Sequence, residues 1–298
     1  MKIALASTHY ALGSLIAGCL VLTLKAAAWW VTGSAALYSD AAESIVNVAA
    51  SLIAFAALRF ASRPADANHP YGHDKAEFFA AVIEGVLIIL ASLMIFREAW
   101  DAYQHPRTLG LPLQGVALNA AATAINAIWA WVLTGAGKRL RSPALQADGR
   151  HIAADVVTSI GIAVGFLLAI STGDQVLDPI LAAATGVYVL WSGTRMISAS
   201  VSGLMDAAPE PAVVNRIREL VAESATGALE AHDLRTRHAG RLTFLEFHLV
   251  VPGNMTVAAA HAICDRIESA LKAEMDHLMI TIHVEPEEKA KQCGVPVL

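Results

Sequence analysis

Six apolar stretches, each long enough to span a bilayer, constrain the fold of this chain more than any other feature. A helix needs about 20 apolar residues to cross the hydrocarbon core. The stretches lie at 11–31, 37–58, 78–98, 113–134, 150–171 and 178–200. Only 16% of the residues are charged, against about 25% in soluble domains, and the mean hydropathy is +0.52. The first stretch continues past Cys19, which favours a span over a cleaved leader. We therefore expect a domain of six transmembrane helices.

Basic residues flank these spans unequally, which predicts the orientation of the chain. One set of loops holds Lys2, Arg59, Arg63, Lys75, Lys138, Arg139, Arg141 and Arg150. The opposite set holds little beyond Arg107, with Arg97 near a span end. Because cytoplasmic loops carry the excess of Lys and Arg, we expect an inner-membrane protein with both termini in the cytoplasm. The formal net charge of −5 argues against a nucleic-acid partner.

The composition changes after about residue 206, where a second domain is predicted. An amphipathic helix is followed by two strands around Ala239-Gly240, a second helix and a short last strand. This α-β-β-α-β order predicts a small α+β domain in the cytoplasm. The expected domains are therefore 1–205 in the membrane, 206–287 in the cytoplasm and a tail at 288–298.

A histidine and an aspartate stand one helical turn apart in the stretch "GRHIAADVVTSIG". The spacing puts His151 and Asp155 on one helix face, with Asp155 roughly 10–15 Å inside the cytoplasmic surface. An ionisable group there costs several kcal/mol unless it is paired or hydrated. The pair is either half of a cation site or an interfacial histidine beside a capping aspartate.

The second span, "YSDAAESIVNVAAS", offers a matching pair. Glu43 and Asn47 are also four residues apart, with Asp40 one turn earlier. Two antiparallel helices with one pair each can build a four-ligand site, and imidazole, carboxylate and amide oxygen suit a divalent transition metal. The alternative for Asn47 is a hydrogen bond between helices.

Two further groups of residues have the chemistry of metal ligands. The loop "RPADANHPYGHDKAE" holds Asp66, His69 and His73, although histidines are also common in solvated loops. Six of the 11 histidines fall in the second domain. They are His232, His238, His248, His261, His277 and His283. His283 shares a strand face with Glu285, which predicts a binuclear or regulatory metal site.

Four stretches together resemble the cation diffusion facilitator family, in particular its bacterial ferrous-iron/zinc efflux pump branch, over about residues 5–287. They are "AWWVTGSAAL", "SRPADANHPYGHDKAE", "LQADGRHIAAD" and "AHDLRTR…FHL…H…IH". The resemblance implies a homodimer with six spans per protomer and a cytoplasmic ferredoxin-like (metallochaperone-like) domain. It also implies exchange of divalent cations for protons by alternating access, and no enzymatic activity.

The resemblance also assigns roles to individual residues. The implied transport site is Glu43, Asn47, His151 and Asp155; the loop site is Asp66, His69 and His73; the cytoplasmic site is His232, His248, His261, His283 and Glu285. Lys75 and Asp206 match a pair that forms an interlocking salt bridge at the dimer interface.

The sequence departs from the family pattern at two ligand positions of the transport site. Zinc transporters of the family usually have Asp or His at position 43 and Asp at position 47, whereas this chain has Glu43 and Asn47. One carboxylate fewer weakens the attraction for a dication and removes a proton acceptor. Glu285 in place of the usual Asp is a milder change, since either carboxylate binds metal.

The sequence thus predicts a divalent metal cation/proton antiporter that exports Zn²⁺, and also Fe²⁺, Mn²⁺, Co²⁺ or Cd²⁺. The pKa of an unperturbed histidine, about 6.5, suits His151 to exchange metal for protons near neutral pH. Two alternatives stay open: a membrane-anchored metal sensor that does not transport, and a channel or proton-coupled carrier for an organic solute.

Overall fold

The structure, a computed structural model, describes residues 2–32, 35–105, 113–172, 176–291 and 295–296. It divides into two compact units, Met1–Val201 and Ser202–Leu298. In the described part of the chain, the first unit contains six long helices, the last of which ends three residues inside the second unit. They are α1 (Lys2–Thr32), α2 (Ala35–Ala61), α3 (Ala76–Gln104), α4 (Leu113–Arg139), α5 (Pro143–Thr172) and α6 (Leu177–Leu204). Each of the six predicted apolar stretches lies within one of these helices.

Five of the helices contain a stretch that is long and apolar enough to cross a membrane, counting only described residues. These stretches are Ala6–Trp30, Ser44–Ala61, Ala76–Gln104, Ala117–Arg139 and Pro179–Leu204. The fifth helix, α5, has 30 residues but carries Asp148, Arg150 and Asp155 in its first half. A helical transmembrane domain is therefore confirmed, and the sixth span stays a prediction.

The first unit buries polar side chains and exposes apolar ones, as expected when lipid is the solvent. Ser14, Glu84 and Asp148 are 0% exposed, whereas Met94 and Trp131 are more than two-thirds exposed. The apolar core of this unit consists of two clusters of buried residues. One cluster contains residues of α1 to α5, and the other contains residues of α3, α5 and α6.

Close packing of α4 against α5 depends on a glycine beside the predicted site. A Cβ at Gly149 would lie 2.9 Å from Thr134 Oγ1 and 3.1 Å from the Thr134 backbone nitrogen. Any larger residue would push the two helices apart. Gly149 therefore allows α5 to approach α4 closely beside Asp148 and His151.

The second unit has the predicted α-β-β-α-β order. Its elements are α7 (Pro211–Ser224), β1 (Glu230–Ala239), β2 (Leu242–Val251), α8 (Val257–Glu274) and β3 (Leu278–Pro286), followed by a 3₁₀ turn (Glu287–Lys289) and the two-residue β4 (Val295–Pro296). The strand order is β3-β2-β1-β4, with β2 antiparallel to β1 and parallel to β3. The β4 strand pairs with the edge of β1, in the segment where the sequence predicts only a tail.

Both helices of this unit pack on one face of the sheet. Ile217 of α7 and Ile267 of α8 share a buried core with Leu245, Phe247 and Leu249 of β2. Because side chains alternate along a strand, residues next to these core positions, such as His248, lie on the opposite face. The sequence periodicity therefore determines which strand residues are left for a site.

Candidate metal sites

A direct contact between α2 and α5 brings two of the predicted transport-site residues together. His151 Nε2 lies 2.8 Å from Asn47 Oδ1, so the imidazole N–H donates to the amide oxygen. The two residues are 5% and 8% exposed. His151 Nδ1 and Asn47 Nδ2 have no hydrogen-bond partner within the described part of the chain. Buried polar atoms are rarely left unsatisfied, so these two atoms mark a place where another group can bind.

Asp155, one turn further along α5, is surrounded by partners that the sequence analysis missed. Its two carboxylate oxygens each lie 3.3 Å from Lys25 Nζ of α1. Asn126 Nδ2 of α4 donates to Asp155 Oδ2 at 2.7 Å. Lys25 is 1% exposed, and Asn126 and Asp155 are each 4% exposed. The available signal was a single ionisable or amide residue inside each apolar run, "LTLKAAAWW" and "ATAINAIWA".

Glu43, the fourth predicted ligand, lies on α2 one turn before Asn47. Its side chain is outside the described residues, as is that of Asp40. The arrangement that the structure describes therefore consists of an imidazole, two amides, a carboxylate and a competing ammonium group on four helices. An imidazole nitrogen and carboxylate or amide oxygens are ligands of divalent transition metals.

The loop between α2 and α3 brings its three predicted residues into one cluster. Asp66 Oδ1 lies 3.2 Å from His69 Nδ1, and Asp66 Oδ2 lies 3.4 Å from His73 Nε2. The same Oδ1 accepts the backbone N–H groups of Asn68 and His69 at 2.9 and 2.7 Å. These bonds, that of the His69 backbone above all, lower the pKa of the Asp66 carboxyl. The carboxylate is therefore ionised at neutral pH, and the three groups are close enough to share one ion.

Burial differs sharply within the loop cluster. Asp66 and His69 have half-exposed side chains, whereas His73 is buried edge-on against the ring of Phe60. Gly72, with φ of 87°, makes the turn that brings His73 back towards Asp66. One of the three predicted ligands is thus held by packing, and the other two are accessible to a cation from water.

In the second unit, three histidines form a row across neighbouring strands. His232 of β1 is paired with His248 of β2, and His248 is paired with His283 of β3. Their ring centroids are 5.3 and 5.0 Å apart. Glu285 lies 3.3–3.7 Å from a nitrogen of each of the three: 3.4 Å for His232, 3.3 Å for His248 and 3.7 Å for His283. Three imidazoles around one carboxylate are a coherent set of ligands for a divalent metal.

Two acidic residues that the sequence analysis did not select border this row. Glu230 Oε1 lies 3.3 Å from His232 Nδ1. Asp233 is close enough to His232 and His248 to share an ion with them, at the bulge that interrupts β1 after His232. The signal available for Asp233 was its place next to the histidine in "AHDLR".

His261, the fifth predicted ligand of the cytoplasmic site, lies apart from this row within one chain. It is on α8, which packs on the other face of the sheet, and its side chain is 73% exposed beside Asp265. The other two histidines of this unit are elsewhere: His238 Nδ1 is 3.1 Å from Thr243 Oγ1, and His277 is in an exposed turn with φ of 60°.

The predicted pair Lys75 and Asp206 belongs to different units. Lys75 occupies the N-cap position of α3. Asp206 has φ of 62° in the turn after α6. Its Oδ1 forms an ion pair with Arg237 Nη1 at 3.2 Å. Their common role at a dimer interface stays a prediction.

Comparison with known proteins agrees with this architecture over nearly the whole chain. Residues 11–205 match the family profile described as the cation efflux transmembrane domain. Residues 209–287 match the profile described as the cytoplasmic domain of cation efflux proteins. The chain belongs to the cation efflux family, also called the cation diffusion facilitators, as the sequence predicted. It is a multi-pass membrane protein of a family of transporters, not of enzymes.

Several relatives match the chain along most of its length. An uncharacterized transporter of Synechocystis is 42% identical over 287 residues, which is 96% of this chain and 93% of the relative. The cation-efflux pump FieF of Cronobacter sakazakii is 31% identical over 276 residues, 93% and 91% of the two chains. The FieF pump of Serratia proteamaculans is 32% identical over 267 residues, which is 90% of this chain and 88% of the relative. A solved chain of the proposed zinc transporter CzrB in its zinc form is 50% identical and covers 28% of this chain and 96% of its own, with a TM-score of 0.27.

Proposed function

We propose that this chain is a divalent metal cation/proton antiporter that exports Zn²⁺ from the cytoplasm across the inner membrane by alternating access. The observation that carries the proposal is the buried contact of His151 with Asn47, one turn before the buried Asp155. Membership of the cation efflux family and relatives that are named cation-efflux pumps support it.

The donor atoms of the transport site decide which ions fit. Two carboxylates, one imidazole and one amide form a set richer in oxygen than a site with two histidines. Such a set binds Zn²⁺ but discriminates less against Fe²⁺, Mn²⁺, Co²⁺ and Cd²⁺. We therefore propose Zn²⁺ as the first substrate and these ions as further substrates.

The transport cycle follows from competition for the same buried groups. A cation from the cytoplasm binds to deprotonated ligands, because protonated ligands cannot coordinate it. At Asp155 it replaces the ammonium group of Lys25, which otherwise balances the carboxylate. When the helices rock and the site faces the other side, protons take the places of the metal on His151 and the carboxylates. The protonated site then returns.

The cytoplasmic unit, 206–287 with the tail 288–298, acts in this proposal as a metal-dependent clamp of a homodimer. His232, His248, His283 and Glu285 form one half of the site within a single chain. His261 lies on the other side of the sheet, so it can complete a site only on a second copy. Lys75 and Asp206 take part in the dimer interface in this proposal. Asp66, His69 and His73 bind a further cation in the loop between α2 and α3.

The experiment that tests this function is reconstitution of the purified chain into proteoliposomes that contain a pH dye and a metal-sensitive dye. An antiporter moves Zn²⁺ and protons in opposite directions. A metal sensor binds Zn²⁺ without moving it, and a carrier of an organic solute responds to no metal in the panel. Zn²⁺, Fe²⁺, Mn²⁺, Co²⁺ and Cd²⁺ are offered separately, so the same measurement ranks the substrates.

A further inference from the structure

A second buried acidic cluster lies in the membrane unit, outside the residues of the proposed transport site. It consists of Glu84 on α3 and Asp148 on α5, with the hydroxyl groups of Ser14 and Ser51. Glu84, Asp148 and Ser14 are 0% exposed, and Ser51 is 1% exposed. The two carboxyl groups are therefore sealed from water as completely as any side chain of this unit.

Glu84 and Asp148 lie on two helices, α3 and α5, that pack against each other. Ala81 and Ile88 of α3 share a buried cluster with Ala147 and Ala154 of α5. Glu84 lies between the two α3 residues along the helix, and Asp148 directly follows Ala147. Both carboxyl groups are therefore buried at the contact between α3 and α5.

Several oxygen atoms of this cluster have no partner. Ser51 Oγ donates to Asp148 Oδ1 at 3.0 Å and lies 3.2 Å from Ser14 Oγ. Asp148 Oδ2 and both Glu84 carboxylate oxygens have no hydrogen-bond partner, counting the described residues only. Neither group forms an ion pair with a lysine or arginine in that same part of the chain. Buried carboxylates inside a membrane protein are paired or mark an ion pathway.

The cluster also lies in line with the transport site. Asp148 is one turn before His151 on α5. Glu77, two turns before Glu84 on α3, accepts a hydrogen bond from the hydroxyl of Ser142, the residue that precedes α5. Acidic side chains therefore follow one another along the α3–α5 contact. They run from the first turn of α3, next to the loop that holds Asp66, towards His151.

We propose that Glu84 and Asp148, with Ser51, form a second cation-binding position that a divalent cation occupies on its way to Asn47 and His151. The proposal rests on the proposed function, since it adds a step to the same path. All donor atoms of the cluster are oxygens, which suit hard divalent cations such as Mn²⁺ and do not favour Zn²⁺. The cluster thus attracts dications in general, and the imidazole of His151 selects among them.

The test uses the full chain with Glu84→Gln, which removes the charge and keeps the volume. Bound Mn²⁺ is counted in nanodiscs from the electron paramagnetic resonance signal of the free ion, and Zn²⁺ uptake is measured in proteoliposomes. The variant is expected to bind one Mn²⁺ fewer per protomer and to show a KM for Zn²⁺ raised about tenfold, the size of effect that loss of a supporting group has at metal sites. Ser92→Ala is the matched control, because this buried α3 hydroxyl donates to its own helix at Ile89.

An unchanged Mn²⁺ count with an unchanged KM would overturn the proposal. So would an unchanged count with only a shifted pH dependence, because Glu84 would then hold a proton and not a cation. Asp148→Asn probes the cluster from the other helix and replaces Glu84→Gln if that variant aggregates. Wild-type protein that moves no cation would contradict the proposed function, whereas the Mn²⁺ count tests the second position independently of transport.

Discussion

Lys25 Nζ of α1 lies 3.3 Å from both carboxylate oxygens of Asp155 on α5, across 130 residues of sequence. Both side chains are nearly inaccessible, at 1% and 3% exposed. A buried carboxylate is tolerated when its charge is balanced, and removal of one partner of such a pair is costly. Lys25 therefore acts as an internal cation at the place where a metal ligand is predicted. A metal that binds Asp155 has to displace it.

Replacement of Lys25 by methionine is expected to make the protein depend on metal for its stability. Without metal, Lys25→Met leaves the charge of Asp155 buried and unbalanced, at a cost of about 3–5 kcal/mol. With Zn²⁺ the loss is recovered, and the apparent affinity rises because no ammonium competes. Thermal unfolding with and without Zn²⁺ measures both effects. Lys25→Arg keeps the charge and serves as the control; equal metal dependence of wild type and Lys25→Met would refute the role of Lys25.

Substitution of Asn47 by aspartate tests whether this residue is a metal ligand. Asn47→Asp adds a charge and a proton acceptor, so it should raise the affinity for Zn²⁺ and Cd²⁺ and steepen the pH dependence of binding. If Asn47 only bonds a neighbouring helix, a contact of about 0.6 kcal/mol, the substitution mainly destabilises the protein. Binding curves for Zn²⁺, Cd²⁺ and Mn²⁺ on the wild type and on Asn47→Asp at two pH values distinguish a metal ligand from a helix contact. Parallel curves with the same rank order would exclude a ligand role.

Zinc is expected to stabilise the isolated cytoplasmic unit through its row of histidines. A fragment of residues 207–298 should gain about 2.7 kcal/mol at a Zn²⁺ concentration of 100 Kd, measured by thermal unfolding. The double variant His248→Ala, His283→Ala should lose the gain. His277→Asn is the control, since His277 is exposed with φ of 60° and asparagine tolerates that backbone. No shift with zinc, or an equal shift in the double variant, would count against the site.

The ion pair of Lys291 with Asp233 predicts a pH-dependent contribution to the stability of this unit. Lys291 Nζ donates to Asp233 Oδ2 at 2.6 Å, and this bond lowers the pKa of the Asp233 carboxyl. A lowered pKa stabilises the fold above the unfolded value of about 3.9, and the stabilisation is lost as the pH falls through the folded value.

The fragment with Lys291→Ala should therefore be less stable than the parent fragment at pH 7 and equally stable in acid below the lowered pKa. The difference is small, because both side chains are partly exposed. Chemical denaturation across this pH range measures it. A difference that is the same at every pH would mean that Lys291 contributes by packing and not through the charge of Asp233.

The helices and the element order were predictable because they follow from local patterns. Apolar stretches identify the long helices, and alternation along β2 places His248 on the face opposite Phe247. The alignment of His232, His248 and His283 depends on strand register and on a bulge in β1, which no local pattern specifies.

The partners of Asp155 in the predicted transport site were not predictable for a related reason. The ligand spacing in "GRHIAAD" is a property of one helix, so His151 and Asp155 could be selected from it. Contact with Lys25 and Asn126 requires the packing of α1 and α4 against α5. The packing of α4 depends in turn on the close approach of Gly149 to Thr134. The sequence shows only that each of these polar residues interrupts an apolar run.

Zinc-driven proton movement in proteoliposomes tests the central claim most directly. With Zn²⁺ added on one side and a pH dye inside, the wild-type chain should exchange Zn²⁺ for protons. His151→Ala and Asp155→Asn should abolish the exchange in a protein that still elutes as a folded dimer. Thr158→Val should keep the exchange, because among the described residues the hydroxyl that it removes bonds only to the backbone carbonyl of Asp155 in the same helix. Exchange at the wild-type rate in either site variant, or Zn²⁺ movement without protons in the wild type, would contradict the account.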